Sequence, residues 1–418
     1  MPRYQKSAWS GKRLWVGIDI HRKYWHVTIL NDESEKLFDS SIPGRWPLLR
    51  QRLERYREAL SIQVAYEASF SGFWLYDHLT SHGYPTTVTP PNKIPSAGGD
   101  RVKTDRVDSY RLADYLRAGI LRAIDVPTPE ERAHREVSRR RRKFIEDRVR
   151  AQNRIKAFLR FNGLEISQES TGRWSRAFVE NLWKVRLKDR YQLESYHHLL
   201  EQFDGISRLV NEQTALLRDL SRSERYADRV ELLKSIPGVG WLTAIELILE
   251  LRDMRRFKRA ECLSAYVGLT PSQHSSGERV RLGRITRQGL PNVRSLLVEA
   301  SWTLIKKDPA LAEKYASIKH RSGSKRAIVA IARRLILRMR RLLLDSVSAW
   351  CNPVVKHRIK PVRRSGTTLF ISQTHDCVHS LSPTDITFGR FTCEPPLRVT
   401  TNSRLNGATA SWEQNLNT

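Results

Sequence analysis

The sequence predicts a mixed α/β domain first, then a helical spacer and a mainly α third domain. Three patterns predict this order. Short apolar runs rich in β-branched residues alternate with amphipathic segments up to residue 126, apolar residues then recur at every seventh position, and a Pro-Gly turn divides the later apolar segments. We therefore expect domains at residues 1–126, 127–228 and 229–350. The tail, residues 351–418, is rich in Ser, Thr, Asn and Pro and is predicted to be disordered.

The chain is strongly basic. With 73 Lys and Arg against 44 Asp and Glu, its formal charge is +29. An excess of this size repels itself unless a polyanion neutralises it, and the usual polyanion is nucleic acid. We find no apolar run of about 18 residues and no signal peptide, so no membrane partner is expected. The four cysteines form neither a disulfide framework nor a CxxC metal pair, which favours a reducing, cytoplasmic compartment.

The first domain is predicted to form one mixed sheet with helices packed over it. Two strands joined by a polar turn at residues 21–24 form a hairpin at its start. Further strands and helices follow in the order β-α-β-α-β-α. The predicted strands span residues 14–20, 25–30, 36–42, 61–67 and 86–89, and the predicted helices span residues 46–60, residues 73–82 and a segment beginning within residues 103–116.

Four acidic residues fall on different elements of this domain. Asp19 lies between two isoleucines of the first strand, and Glu67 ends a later strand. Asp105 and Asp108 stand three residues apart at the start of the last helix, so both carboxylates share one helix face. Acids gathered at one sheet edge can hold the two metal ions that phosphoryl transfer uses. The alternatives are a solvent-facing Asp19 and ordinary helix capping by the two later aspartates.

The spacer is predicted to contain two basic amphipathic helices. Their apolar residues recur every seven positions: Val137, Phe144, Ala151 and Phe158 in the first, and Tyr196, Phe203, Val210 and Leu217 in the second. We favour a coiled coil that dimerises and lies against a nucleic-acid backbone through a run of cations. That run is Arg139, Arg140, Arg141, Arg142 and Lys143. The alternative is a helical hairpin whose charges are only solvated.

The third domain carries two candidate phosphate-binding features. Residues 237–240, PGVG, are similar to a helix-hairpin-helix turn, in which Gly238 and Gly240 would let the backbone approach a phosphate; a simple turn is the alternative. Residues 272–289 are rich in Ser, Gly and Arg and are predicted to be an exposed loop or ribbon. In it, Ser276 is a candidate nucleophile or only a hydrogen-bond donor to phosphate. Its local candidate base is His274, and the neighbouring cations are Arg279, Arg281, Arg284 and Arg287.

These motifs together resemble a known family. The segments VGIDIHRKYWHVTI, AYEASFSG and KTDRVDSYRLADYLRAG resemble the RuvC-like N-terminal half of the DEDD transposases, which are insertion-sequence recombinases guided by a bridge RNA. The stretch from SIPGVG to LPNVRSLLVEA resembles their C-terminal transposase domain. Residues 351–418 resemble no part of the family.

The resemblance implies an RNase H/RuvC-like first domain and a DNA transposase or recombinase. It implies that Asp19, Glu67, Asp105 and Asp108 are catalytic and hold Mg²⁺, and that the nucleophile is Ser276, with Ser275 as the other candidate. It further implies a guide RNA, a homodimer or tetramer, and work on DNA at the nucleoid of a prokaryotic cytoplasm.

Two other functions are compatible with the same residues. A metal-dependent endonuclease of the Holliday-junction-resolvase kind would use the four acids with water and without a serine nucleophile. A decayed, non-catalytic copy would only bind nucleic acid, although four intact acids argue against it. Covalent attachment of the protein to cleaved DNA would separate the serine mechanism from the water mechanism.

Overall fold

The computed structural model describes residues 9–95, 105–164, 174–273, 282–286, 288–351, 363–364 and 367–368. The chain divides into two compact units, Met1–His357 and Arg358–Thr418. Most of the tail that is predicted to be disordered lies outside the described residues.

The first unit begins with a five-stranded mixed sheet, which confirms the predicted α/β class of the N-terminal domain. Its strands in sheet order are β3, β2, β1, β4 and β5; β1 and β2 form an antiparallel hairpin, and β4 and β5 run parallel to β1. The bounds are β1 (Arg13–Ile20), β2 (Tyr24–Leu30), β3 (Lys36–Pro43), β4 (Ser61–Glu67) and β5 (Thr86–Thr89).

Three helices belong to this sheet: α1 (Trp46–Glu54), α2 (Trp74–Ser81) and α3 (Asp105–Arg117). The first helix is shorter than the predicted residues 46–60. Because Ser61 pairs with Arg13 of β1, the residues after Glu54 are needed to carry the chain back to the sheet.

The two faces of the sheet are covered by different helices. Leu14, Val16 and Ile18 of β1 enter the larger core, which also contains residues of α1 and α2. The alternate residue Trp15 packs with residues of α3 in a smaller core. Gly17, two residues after Trp15, lies on the same face of β1, and a Cβ on it would lie 2.0 Å from the carbonyl oxygen of Ser109 in α3. Only glycine therefore allows α3 to pack directly on the backbone of β1.

Two long helices follow, α4 (Pro129–Phe161) and α6 (Arg190–Arg222), with the short α5 (Arg176–Trp183) between them. Thr128 and Glu131 form a capping box that fixes the start of α4.

Contacts along the pair show that α4 and α6 are antiparallel, since Arg141 meets Thr214, Arg154 meets Gln202 and Asn162 meets Gln192. The predicted seven-residue positions of α6 are all buried: Tyr196, Phe203, Val210 and Leu217. This apolar stripe is thus covered within one chain, and dimerisation through a coiled coil stays a prediction.

The helices that follow α6, together with Leu217 of α6, build the largest hydrophobic core of the described residues. A two-stranded antiparallel ribbon of β6 and β7 lies within the segment predicted to be a loop or ribbon. The bounds are α7 (Ala227–Lys234), α8 (Trp241–Leu251), α9 (Ala260–Val267), β6 (Pro271–Gln273), β7 (Leu282–Ile285), α10 (Pro291–Lys307), α11 (Pro309–Ser322) and α12 (Ser324–Cys351). In the second unit, β8 (Arg363–Arg364) pairs with β9 (Thr367–Thr368) in an antiparallel ribbon. No helix within the described residues has both the length and the apolar character to cross a membrane.

Candidate active site

The ends of two parallel strands place Asp19 and Glu67 side by side. The register of β1 with β4 pairs Ile18 with Tyr66, so the next residue on each strand is an acid. Side chains alternate along a strand, which puts Asp19 on the same face as Trp15 and Gly17. By the same rule Glu67 shares the face of Ala65, which packs in the small core under α3. Both acids therefore face α3, and both are half-buried.

The first turn of α3 brings a third carboxylate to the same place. The Nε2 atom of His21 lies 3.1 Å from Oδ2 of Asp19 and 3.2 Å from Oδ1 of Asp105. The Tyr24 hydroxyl donates a hydrogen bond of 3.1 Å to the other oxygen of Asp105. One ligand atom from each of Asp19, His21 and Asp105 falls within 4.8 Å of the others. Asp105 is thus held by two side chains of the β1–β2 hairpin.

Several neighbouring groups shift the pKa of Asp19. Burial raises the pKa of Asp19; His21 opposes this shift, and the charges of Asp105 and Asp108 add to it. Asp108, one helical turn after Asp105, is therefore close enough to act on Asp19.

These residues fit a divalent cation. Carboxylate oxygens are the ligands that Mg²⁺, Mn²⁺ and Ca²⁺ prefer, and an imidazole nitrogen is accepted by several transition metals. A bound cation would also offset the mutual repulsion of the aspartates. We call Asp19 and Asp105, with the predicted members Glu67 and Asp108, the acidic site; a metal centre that uses all four acids stays a prediction.

Two members of this arrangement were missed at the level of sequence. His21 was assigned only to a polar turn, and Tyr24 to the end of that turn. A signal for His21 existed, because it stands two residues after Asp19 and so continues the same side of the strand. No such signal existed for Tyr24, whose partner is 81 residues away.

The structure describes the two ends of the predicted serine loop, up to residue 273 and from residue 282 to 286. Ser275, Ser276 and His274 lie outside the described residues, as do Arg279, Arg281 and Arg287. Arg284 lies on β7 and is exposed to solvent.

The run of five cations on α4 divides into two groups. Arg139 donates two hydrogen bonds, of 2.7 and 2.8 Å, to the carboxylate of Glu250 on α8. Arg141 and Arg142 lie 3.2 and 3.6 Å from the carboxylate of Glu246, also on α8. By contrast, Arg140 and Lys143 pair with Glu136 and Glu146 within α4 itself, at exposed positions.

The first group is therefore engaged in contacts inside the chain, which the sequence prediction of a nucleic-acid surface did not anticipate. Arg135 adds a second guanidinium to Glu250 at 3.2 Å. We call Arg135, Arg139, Arg141 and Arg142 with Glu246 and Glu250 the arginine–glutamate cluster.

The two glycines predicted to contact phosphate differ in their surroundings. Gly238 has a φ of +89°, and a Cβ there would lie 2.5 Å from the carbonyl oxygen of Ala300 on α10. Packing of the turn against α10 therefore already explains this glycine. Gly240 precedes the first residue of α8, and a Cβ there would have no neighbour within 4 Å. A Cβ at Gly240 would therefore meet open space, and phosphate binding at this turn stays a prediction.

Comparison with known proteins connects both parts of the chain to one group. Residues 16–162 match a family described as Transposase, the DEDD transposases of the IS110 type. Residues 230–316 match the family described as Transposase IS116/IS110/IS902 family. Over these two stretches the chain is similar to the IS110/IS116 transposases with a DEDD domain. The first match contains all four residues of the acidic site, and a DEDD domain of this family implies the use of divalent metal ions.

Several individual proteins that are similar to the chain are also transposases by name. The chain is 31% identical to the putative transposase y4qE of Sinorhizobium fredii over 242 residues, which is 58% of each protein. It is 23% identical to the transposase for insertion sequence element IS1533 of Leptospira borgpetersenii, over 78% of this chain and 95% of that protein. It is 26% identical to the transposase for insertion sequence element IS1111A of Coxiella burnetii, over 64% of this chain and 74% of that protein.

Proposed function

We propose that this chain is the transposase of an insertion sequence, which cuts and rejoins DNA at the acidic site. One observation carries the proposal: Asp19 of β1 and Asp105 of α3, which are far apart in sequence, converge on His21 with Asp108 nearby. The family implies the substrate, and the formal charge of +29 suits a polyanion.

The four acids would hold Mg²⁺. Bound Mg²⁺ would stabilise the charge that develops on the phosphoryl oxygens and would lower the pKa of the attacking hydroxyl. The protein's own contribution is geometric: His21 and Tyr24 orient the carboxylate of Asp105, and the strand register sets Glu67 beside Asp19.

In this proposal the nucleophile is Ser276, with Ser275 as the other candidate. Its hydroxyl oxygen would attack the phosphorus of one backbone linkage and form a phosphoserine bond. The sugar oxygen would leave with its electron pair and take up a proton, while the serine proton passes to a base. A sugar hydroxyl of the partner strand would later reverse these steps, so rejoining would need no external energy source.

Guide RNA, a dimer or tetramer, and a location at the nucleoid belong to the same proposal. They rest on the family resemblance and on the positive charge of the chain. The exposed cations Arg140 and Lys143 on α4 and Arg284 on β7 are the described candidates for backbone contacts.

The test uses the full chain with the RNA that copurifies with it and a DNA junction taken from the sequence flanking its own gene. Asp105→Asn should abolish Mg²⁺-dependent cleavage. Asp114→Asn is the matched control, because Asp114 lies on the same helix but pairs with Arg117. Cleavage that survives Asp105→Asn would overturn the metal assignment.

A second readout separates the serine mechanism from hydrolysis. Under denaturing conditions, protein that migrates with labelled DNA would support a phosphoserine bond, and Ser276→Ala should remove that species. Cleaved DNA with free ends only would favour a resolvase-like nuclease that uses water.

A further inference from the structure

A stripe of polar side chains lies on the sheet directly beneath α3. Along β2 the residues Trp25, Val27 and Ile29 enter the large core on one face. The alternate residues therefore face α3: Tyr24, His26 and Thr28. Asp39 of β3 stands opposite Thr28 in the register and lies on the same face. We call Tyr24, His26, Thr28 and Asp39 the polar stripe.

The polar stripe makes directional contacts with the first two turns of α3. The hydroxyl of Ser109 lies 2.9 Å from Nδ1 of His26 and 2.8 Å from the hydroxyl of Thr28. Ser109 and Thr28 are completely inaccessible to solvent, and His26 is 9% exposed. Nearer the start of the helix, Arg106 donates a 2.7 Å hydrogen bond to Asp39, and Tyr24 donates to Asp105.

Apolar packing cannot by itself fix where α3 sits along the sheet. The close approach at Gly17 sets the height of the helix, but burial of Ala113 and Leu116 has no preferred direction. A helix that slips by one residue moves about 1.5 Å and turns by roughly 100°. Metal ligands tolerate distance changes of only about 0.2 Å. Hydrogen bonds to buried Ser109 supply the missing direction.

We infer that Ser109, with His26 and Thr28, positions the metal ligands of the acidic site. These residues set the position and rotation of α3, so that Asp105 and Asp108 meet Asp19. The inference rests on the proposed function. Neither the two family matches nor the geometry of the metal ligands assigns a role to these three residues. Ser109 follows Asp108 in α3 and is completely buried between this helix and the sheet. It therefore cannot contact DNA and acts only by positioning the aspartates.

The same contacts exclude another interpretation. Ser109, His26 and Asp39 are the three residue types of a Ser-His-Asp hydrolytic triad. However, Ser109 is inaccessible to substrate, and Nε2 of His26 lies 3.8 Å from the Asp39 carboxylate, beyond hydrogen-bond distance.

The experiment measures Mn²⁺ binding to the full chain by the electron paramagnetic resonance signal of free Mn²⁺, beside its melting temperature. Ser109→Ala should weaken Mn²⁺ binding by about tenfold or more, as loss of residues that orient metal ligands commonly does. Ser301→Ala is the matched control. Ser301 is equally inaccessible and donates a 2.6 Å hydrogen bond to Leu297, but it lies on α10. It should lower the melting temperature without changing Mn²⁺ affinity.

A second pair of variants decides the matter if Ser109→Ala does not fold. Thr28→Val replaces the hydroxyl by a methyl group and should weaken Mn²⁺ binding, whereas Thr28→Ser keeps the hydroxyl and should retain the wild-type affinity. Wild-type affinity in Ser109→Ala or Thr28→Val would overturn the inference while leaving the proposed function intact. A wild-type chain that binds no Mn²⁺, or that keeps its affinity after Asp105→Asn, would instead overturn the proposed function.

Discussion

The acidic site and the arginine–glutamate cluster both hold carboxylates partly or wholly away from water, and they differ in what surrounds those carboxylates. In the cluster, four guanidinium groups surround the glutamates of α8. At Glu250 the hydrogen bonds and charges of Arg139 and Arg135 outweigh burial and hold the pKa below its ordinary value, whereas at Glu246 burial outweighs Arg141 and Arg142 and the pKa is raised. At Asp19 burial raises the pKa, the charges of Asp105 and Asp108 add to this shift, and among the described residues His21 opposes it.

The surroundings of a buried carboxylate thus separate a structural acid from a functional one. A buried carboxylate that already has its cations stabilises one arrangement of helices, here α4 against α8. The charged form of a carboxylate that lies among other carboxylates is unfavourable, and a bound cation stabilises it. This is the electrostatic environment of a metal site.

Asp19→Asn should have the largest effect on activity and little effect on stability. Removing a metal ligand at the reacting centre should reduce cleavage at least about 10²-fold. The same change removes a charge that the folded protein holds unfavourably, so the melting temperature should stay equal or rise. Cleavage rates and calorimetry on one preparation check both expectations. A large fall in stability would mean that Asp19 is a structural acid.

Glu250→Gln should show the opposite pattern. It leaves Arg135 and Arg139 without their carboxylate, and breaking a buried ion pair in this way costs about 3–5 kcal/mol. Urea unfolding monitored by fluorescence measures the loss. The matched control is Glu136→Gln, whose exposed pair with Arg140 should contribute less than about 1 kcal/mol. Equal losses in the two variants would contradict a structural role for the cluster.

Gly17→Ala should affect both stability and the acidic site. Its Cβ would lie 2.0 Å from the carbonyl oxygen of Ser109, so α3 must move away from the sheet, at about 1–3 kcal/mol for such overpacking. Mn²⁺ affinity should fall with it. Gly205→Ala on α6 is the control, because a Cβ there meets nothing within 4 Å. It should stabilise the helix by about 0.5–1 kcal/mol and leave Mn²⁺ binding unchanged.

The pH dependence of stability should show the smallest effect. Since the folded pKa of Glu250 is lowered, its contribution is complete above its ordinary value of 4.5 and is lost as the pH falls through the folded value. Urea midpoints should therefore fall less steeply below pH 4.5 in Glu250→Gln than in wild type. Identical slopes would mean that Glu250 does not stabilise the fold through its charge.

Much of the first domain could be predicted, because strand and helix periods are local properties of the chain. The hairpin, the later strands and the helix that begins with Asp105 appear where alternation and turn residues indicated. The sequence predicted that acids on different elements of a mixed sheet could meet at one edge, and the parallel register of β1 with β4 is known only from the structure. The contacts of Arg139 and Arg141 could not be predicted, since nothing local distinguishes a guanidinium that meets Glu250 or Glu246 from one that meets phosphate.

Local patterns in the sequence already define which residues share a face, along the alternating strands and along the seven-residue stripe of α6, and the composition defines the charge of +29. The partner of each polar group, in contrast, is set by the packing of the folded chain. His26 and Thr28 lie more than eighty residues before Ser109, with separations of 83 and 81. The periodicity of a strand or helix shows which of its faces is apolar and which is polar. The helix or strand that packs on each face depends on contacts between distant segments, which no local pattern encodes.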